Sequence, residues 1–387
     1  MAMIFQRHFP WRENNQFQLL VDGGEIFPAM LASIRAARSQ IFLEMYLVES
    51  GVLLDRFIRA LADAAQRGVN IYLLFDGYGA RGLNARDRQR ITQAGIHLAI
   101  YNPLRLGKVG RNLLRDHRKL LLVDAAQAFV GGMGLADVFA AEANPQTFWH
   151  DVAVRIEGPV VADWCAVFCH NWHYWAKQDL SPVVMPGTDR ADVLAGQAGR
   201  IAGGRRFGAL GIHHAFLKRV RNAERRVWMM TAYFVPSRSL LRALRKSARH
   251  GVDVRLLLPG SKTDHPAIRY AGQQHYYSLL HAGVRIFEYQ PRFLHAKVLM
   301  CDDWVSLGSS NMDSWNLRWN LEANQEIESS DFAARMGELF TADFADSEEY
   351  PLSTWQMRPR YRRMLEWFWG KIARWLENIS ARIRRKK

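Results

Sequence analysis

Read as hydrophobic and polar positions, the chain repeats one phrase: an amphipathic stretch, a polar or glycine break, then a short dense apolar run. LASIRAARSQIFLEMYLVE (31–49) predicts a helix passing into a strand, and LADAAQRGVNIYLLFDG (61–77) and ITQAGIHLAIYNP (91–103) repeat that plan. The same three phrases return as FLKRVRNAERRVWMMTAYFVP (216–236), LRKSARHGVDVRLLLPG (244–260) and YSLLHAGVRIFEYQP (277–291). Gly68 and Gly251 sit where a helix C-cap turns into a buried strand. Iterated helix and apolar strand predict an α/β fold with helices on a largely parallel sheet. The duplication predicts two similar halves packed across a pseudo-twofold axis, with a site at their interface. The halves are assigned to 1–180 and 209–350. Between them, 181–208 is a joining region containing Pro182, Pro186 and the glycine-rich GQAGRIAGGRR, and 351–387 follows as a C-terminal helix.

Each half closes with an unusual strand. DHRKLLLVD (116–124) and LHAKVLMCDD (294–303) put a histidine and a lysine two apart ahead of an aliphatic run. Alternate strand positions share a face, so His117 points with Lys119 and His295 with Lys297. Two histidines and two lysines meeting between the halves make a cationic, partly dry pocket suited to a phosphodiester. The lysines can stabilise non-bridging oxygens as charge builds, while one histidine attacks phosphorus and the other protonates the leaving alcohol. This chemistry calls for no cofactor and no metal. Asp124 and Asp302, seven residues past each histidine, have the opposite parity and suit a structural task at the turn beyond. Asp151 in FWHDVAV and Glu322 in NLEANQ, 34 and 27 residues past their histidines, are the candidates for holding the imidazole tautomers. GGMG (131–134) and GSSN (308–311) follow the two motifs, and Ser309 and Asn311 offer donors to phosphate.

Charge sharpens this picture. A formal net charge of +15 and a pI near 10.0 suit a polyanionic partner, whether nucleic acid, an anionic membrane surface or a phosphate-bearing substrate. Three cysteines make no disulfide framework and fit an intracellular location. MAMIFQRHFPWRENN lacks the apolar core of a signal peptide, and no run reaches the roughly 18 apolar residues of a spanning helix. A membrane role therefore means lying on the surface.

The paired H-x-K-x4-D motifs, followed by GG and GSxN, resemble the phospholipase D superfamily. WRENNQFQLLVDG, YFVP (233–236) and HAKVLMCDDWVSLGSSNMD resemble the bacterial cardiolipin synthases, in particular the B type without N-terminal transmembrane helices, over roughly residues 10–350. The resemblance implies phosphatidyl transfer between two phosphatidylglycerols through a phosphohistidine, with loss of glycerol. It implies an active constellation of His117, Lys119, Asp124, His295, Lys297 and Asp302, with His117 taken as nucleophile and His295 as acid and base. It also implies a peripheral protein on the cytoplasmic face of the cell membrane, and no nucleic acid is expected as partner. A phosphodiesterase hydrolysing phospholipid or nucleic acid is the alternative. Two departures from the family pattern stand out. Gly134 replaces the usual asparagine, and five residues rather than six separate Asp302 from Gly308, which implies a tighter hairpin.

Other signals weigh less. GYGARG (77–82) matches a dinucleotide-loop pattern, but the next strand ends without a ribose-binding carboxylate, so it reads as a mobile loop by the pocket mouth. CAVFCHNWH (165–173) reads as a packed aromatic helix rather than a zinc site. Arg105, Lys108, Arg111 and Arg115 among leucines read either as a solvated loop or as a basic flap over the site that dips into lipid headgroups. In the C-terminal segment Leu365, Phe368, Ile372, Trp375, Ile379 and Ile383 form an apolar stripe beside Arg362, Arg363, Lys371, Arg374 and Arg382, the pattern of an interfacial helix on anionic lipid, with a core-packing helix and basic tail as the alternative. That segment is read from physics alone, outside the reach of the resemblance.

Overall fold

The computed structural model describes residues 9–105, 107, 112–143, 145–180, 196–203, 211–313 and 320–385. In chain order the strands of the first half are β1 (Arg12–Val21), β2 (Gln40–Met45), β3 (Asn70–Asp76), β4 (His97–Tyr101), β5 (Arg115–Asp116), β6 (Leu120–Val123), β7 (Gln127–Gly131) and β8 (Val152–Glu157). β9 (Gln197–Gly203) lies in the joining region. The second half supplies β10 (Arg226–Thr231), β11 (Phe234–Val235), β12 (Asp253–Pro259), β13 (Arg285–Tyr289), β14 (Lys297–Cys301), β15 (Trp304–Gly308), β16 (Met312–Asp313), β17 (Asn320–Leu321), β18 (Ala323–Glu328) and β19 (Ser347–Glu349).

Fifteen of these strands form one sheet running through both halves, in the order β19-β13-β12-β10-β14-β15-β18-β9-β1-β8-β7-β6-β2-β3-β4. Outward from the middle, β8-β7-β6-β2-β3-β4 is matched by β18-β15-β14-β10-β12-β13, so the duplicated phrases fold into duplicated sheets. The expectation of a largely parallel sheet needs correction. Within this sheet, among the described residues, parallel pairing is confined to β2-β3-β4 and β10-β12-β13. The histidine–lysine strands are joined onward by tight hairpins, and a tight hairpin returns the chain antiparallel. The expected difference between those hairpins is present. Val123 pairs with Gln127 across a loop of residues 124–126, whereas Cys301 pairs with Trp304 across 302–303 alone.

The joining region also differs from the reading of 181–208 as irregular. Residues 181–195 and 204–208 lie outside the described residues, but β9 pairs with β1 on one side and β18 on the other, at the centre of the sheet. Its glycine-rich sequence has a steric reason: a Cβ on Gly199 would fall 2.5 Å from the Phe17 ring. Helices Asp22–Ala36 and Val52–Gln66 cover one face of the first half, and Gly211–Asn222 and Arg238–Arg249 the corresponding face of the second. Helices Val160–Ala176 and Ser330–Ala345 cover the opposite face, where one apolar core spans both halves. Trp164, Phe168 and Trp172 pack into that core, as expected of an aromatic helix, and Phe17 of β1 meets Phe332 edge-on. The two halves therefore share a core as well as a sheet.

Candidate active site

The site is built where each half reaches into the other. β5, just before His117, pairs in parallel with β17 through Asp116 and Leu321, and a matching bridge joins Leu294, just before His295, to His150. These bridges lay the carboxylate-bearing segment of each half along the histidine of the other. The assumed pairing of each carboxylate with the histidine preceding it is thus crossed. Asp151 Oδ2 lies 2.6 Å from His295 Nδ1, and Glu322 Oε1 lies 3.0 Å from His117 Nδ1. Each histidine donates Nδ1–H to its carboxylate, which leaves Nε2 with a lone pair.

Lys119 Nζ donates to the His117 carbonyl at 2.6 Å, and Lys297 Nζ lies 3.2 Å from His295 Nε2. Both lysines are nearly fully buried. Burial, with the mutual repulsion of the two ammonium groups, brings Lys119 down to about 7, and burial brings Lys297 down to about 8 against the opposing pull of Asp151 and Glu322. Burial and the neighbouring Lys297 push His295 down to about 3, while Asp151 opposes them. Phe139, Trp149 and Phe293 surround that ring, with centroids 5.0–5.8 Å away, which accounts for its dryness. His117 is also lowered by burial, with Glu322 opposing, and meets Tyr46 edge-on at 4.7 Å. Burial alone would raise the Asp151 carboxyl, but His295 and Lys297 outweigh it and hold Asp151 below its ordinary value.

The remaining candidates divide. Asp124 and Asp302 do not join the cluster. Each sits at the far end of its strand in the left-handed region, φ +52°, and takes backbone amides from the start of the neighbouring strand. Asp124 accepts from Arg38, Ser39 and Gln40 at 2.8–2.9 Å, and Asp302 from Glu224, Arg225 and Arg226 at 2.9–3.0 Å. Although burial opposes it, these amides lower both carboxyls. Ser309, expected as a phosphate donor, gives its hydroxyl hydrogen instead to Glu322 Oε2 at 2.5 Å. Its strand-register counterpart in the first half is Gly132, where a Cβ would fall 2.5 Å from Asp151 Oδ1, so there the glycine makes room for the carboxylate. Asn311 is fully buried, and neither its amide nitrogen nor its oxygen has a partner among the described residues.

Three weaker readings change. In GYGARG the Tyr78 and Gly79 amides donate to Asp76 at 2.7 and 2.9 Å, so the loop is a capped turn whose donors are already engaged. Arg115 is no flap cation: it is buried, 3.4 Å from Asp76 and bonded to the Asn102 carbonyl, while Lys108 and Arg111 lie outside the described residues. The C-terminal stripe splits. In helix Arg360–Arg385, Glu366 and Gly370 are buried, and Leu365, Trp369 and Ile372 half-buried; Tyr361, Met364, Trp367 and Phe368 are exposed. A Cβ on Gly370 would press on Gln274, just past helix Pro266–Gln273, which marks the packed face. The side chains of Arg374, Trp375, Ile379, Arg382 and Ile383 lie outside the described residues.

Comparisons with known proteins bear on the fold and the family. A family model described as "Cardiolipin synthase, PLD-like domain" matches residues 30–164 and 216–344, one segment in each half. A cardiolipin synthase A of Pseudomonas fluorescens is 34% identical over 351 residues, covering 90% of this chain and 72% of that protein. One from Pseudomonas aeruginosa is 33% identical over 352 residues, covering 90% and 71%. Among solved structures, the phosphatidylserine synthase of Haemophilus influenzae superposes with a TM-score of 0.75 over 97% of both chains at 12% identity, a likeness of fold. The polyphosphate kinase of Porphyromonas gingivalis does so with a TM-score of 0.59, over 95% of this chain and 53% of that one, at 14% identity.

Proposed function

The chain belongs to the cardiolipin synthase family with phospholipase D-like domains and is a phosphatidyltransferase; from that premise we propose that it moves the phosphatidyl group of one phosphatidylglycerol onto another. In the first step His117 Nε2 forms a bond to phosphorus as the bond to the glycerol oxygen breaks. His295 protonates that oxygen, and glycerol leaves. In the second, His295 takes the proton of a hydroxyl on the second phosphatidylglycerol. That oxygen bonds to phosphorus and the N–P bond breaks, giving cardiolipin. Lys119 and Lys297 neutralise the non-bridging oxygens, and Asn311 supplies an amide donor whose hydrogen-bonding capacity is otherwise unused among the described residues. The observation that carries this reading is the crossed pair of His–carboxylate contacts, each set beside a buried lysine. A phosphodiester anion in this pocket offsets the repulsion among its cations, and so raises the depressed His295 toward a state able to deliver a proton.

The protein works from the cytoplasmic face of the bacterial membrane as a peripheral enzyme. Met357, Tyr361, Met364, Trp367 and Phe368 are half of the large apolar side chains that stand exposed among the described residues, from 50% at Phe368 to 78% at Met357. Arg360, Arg363 and Lys371 lie among them, with Lys371 Nζ 4.0 Å from the Trp367 ring centroid. Apolar aromatic surface beside cations fits an anionic lipid interface.

The deciding experiment incubates purified protein with phosphatidylglycerol vesicles and follows lipids and released alcohol by mass spectrometry, with His117→Ala and His295→Ala alongside. Cardiolipin and glycerol in equal amounts, lost in both variants, is the expected result. Phosphatidic acid as the main product makes the enzyme a hydrolase, and no lipid turnover overturns the reading. Flotation of Met364→Glu/Trp367→Glu with anionic vesicles tests the docking face, and undiminished binding removes it.

A further inference from the structure

His150 carries no task in this chemistry, and its surroundings are unusual. The ring is almost fully buried, with Nδ1 2.7 Å from Asp22 Oδ1 and Nε2 3.1 Å from Asp343 Oδ2. A neutral imidazole has one donor and one acceptor nitrogen, so between two carboxylates its acceptor would face a second lone pair. Only the imidazolium satisfies both contacts. Arg292 is the other cation in the cluster: its Nη2 bonds Asp22 Oδ2 and lies 3.4 Å from His150 Nδ1, so Asp22 stands between two cations, and with Asp343 two negative groups balance two positive ones. The Tyr289 ring stacks on the imidazole at 5.1 Å. The carboxylates come from opposite halves: Asp22 opens helix Asp22–Ala36 and Asp343 lies in helix Ser330–Ala345.

The main chain ties this cluster to the reacting groups. The His150 carbonyl accepts the His295 amide at 2.7 Å and the Ala296 amide at 3.1 Å, and the His150 amide donates to the Phe293 carbonyl at 2.9 Å. Asp22 Oδ1 accepts the Asp151 amide at 3.1 Å, and the Asp22 amide donates to the Asp151 carbonyl at 2.8 Å. Both ends of the His295–Asp151 hydrogen bond are therefore anchored to one charged cluster. The corresponding residue in the other half, Leu321, gives its carbonyl to the His117 amide at 2.9 Å but has no charge to set between the halves.

We propose that His150, held as an imidazolium between Asp22 and Asp343, is a positioning residue that clamps the His295–Asp151 half of the active site, a device the His117–Glu322 half lacks. The inference rests on the transfer chemistry proposed above for its kinetic consequence, but not for its geometry. Burial alone would lower the His150 ring, yet Asp22 and Asp343 bring it up to about 9, in keeping with the paired geometry.

The test uses the full chain labelled with 15N-histidine, comparing wild type, His150→Gln and His150→Arg. Glutamine is neutral, with a single donor group; a guanidinium is always charged and serves two carboxylates. Wild type is expected to show both His150 nitrogens protonated at pH 8 and a downfield proton from His295 Nδ1. His150→Gln is expected to shift or lose that proton and to lower kcat about 10–100-fold with KM within about twofold, the effect of a misplaced reacting group. His150→Arg is expected to restore both. A His150 that titrates near its ordinary value overturns the proposal. So does a His150→Gln variant that melts lower but keeps wild-type kcat and an unshifted His295 signal, since that is a structural role alone. If His150→Gln does not fold, Asp343→Asn replaces it: a retained high His150 titration and normal kcat count against the clamp, and loss of both supports it. Absence of phosphatidyl transfer in the wild type would overturn the function, while the His295 proton in the variants still tests the clamp.

Discussion

Behind the two histidines, the halves solve one packing problem with opposite chemistry. Arg118, between His117 and Lys119, turns to the other face of the sheet, where its guanidinium lies 2.8 Å from Glu44 and 3.3 Å from Asp116. Asn171 Nδ2 bridges the same carboxylates at 3.0 and 2.7 Å, and all four groups are buried. The registers β2–β6 and β10–β14 align Glu44 with Met230, Asp116 with Leu294 and Arg118 with Ala296, each fully buried. Arg118→Ala thus installs the residue the other half already uses, yet strands two carboxylates without their cation. Breaking a buried pair costs about 3–5 kcal/mol. Burial pushes the Glu44 carboxyl well up, with Arg118 opposing, so protonation of Glu44 sets a ceiling on the loss. For a chain of 387 residues the unfolding entropy is on the order of 0.8 kcal/mol per kelvin. The melting temperature should therefore fall by about 4–6 °C on that scale. The triple variant Glu44→Met/Asp116→Leu/Arg118→Ala copies the apolar half and removes the desolvation cost together with the pair. It should return to within about 1–2 kcal/mol of wild type, the remainder being the Asn171 amide left without acceptors. Calorimetric melting at pH 7 reads both variants, and kcat of the folded triple variant should hold because the cluster lies on the face opposite His117. A triple variant as unstable as Arg118→Ala would refute the reasoning, because the ion cluster would then stabilise the fold beyond its own desolvation.

Lys119 near 7 and Lys297 near 8 both gain protons when a phosphate anion binds between them, so uptake on binding a phosphate-bearing inhibitor should increase by about one proton from pH 6 to pH 8. Calorimetry in buffers of different ionisation enthalpy measures this, and uptake that does not change with pH would count against two depressed lysines. For His150, raised from its ordinary 6.5 to about 9, the stabilisation is full below about 6.5 and is lost as pH climbs through about 9. Wild type should therefore lose melting temperature between pH 7 and 10 faster than His150→Arg does, and parallel curves would contradict the assignment. Asp124→Ala leaves the amides of Arg38, Ser39 and Gln40 without their acceptor and should cost about 1–3 kcal/mol while kcat of the folded enzyme stays near wild type. A collapse of kcat without loss of stability would return Asp124 to the catalytic group. Ser309→Ala removes the hydroxyl on Glu322 and should lower kcat about tenfold with KM little changed, the signature of a contact made more strongly in the transition state.

The parts of this molecule that are legible in its sequence are those written twice. The three helix–strand phrases and the His-x-Lys strands depend on local periodicity, and repetition separates them from coincidence. The pairing of carboxylate with histidine is different in kind. Asp151 serves His295 and Glu322 serves His117 because parallel bridges at Asp116–Leu321 and His150–Leu294 cross the halves, and no spacing within either half encodes that crossing. The long apolar stripe at the C-terminus has the periodicity of a single face, yet Leu365 and Ile372 are half-buried while Phe368 between them stays out, since helix packing divides a face that sequence period alone treats as whole. His150 gives no local signal. What exposes it is the mismatch with Leu321, as Glu44 is exposed by Met230 and Arg118 by Ala296. A charged group at a buried position that the sister half fills with hydrocarbon must have a partner there, or the fold would not tolerate it. Within a duplicated chain the shared residues thus locate the chemistry, and the unshared buried charges locate what makes its two halves unequal. Here one such cluster, Glu44–Arg118–Asp116, lies behind His117, and another, the Asp22–His150–Asp343 clamp, behind His295. Of these two clusters only the second joins the halves, so it adds a charged tie around His295 to the main-chain bridges that both half-sites share.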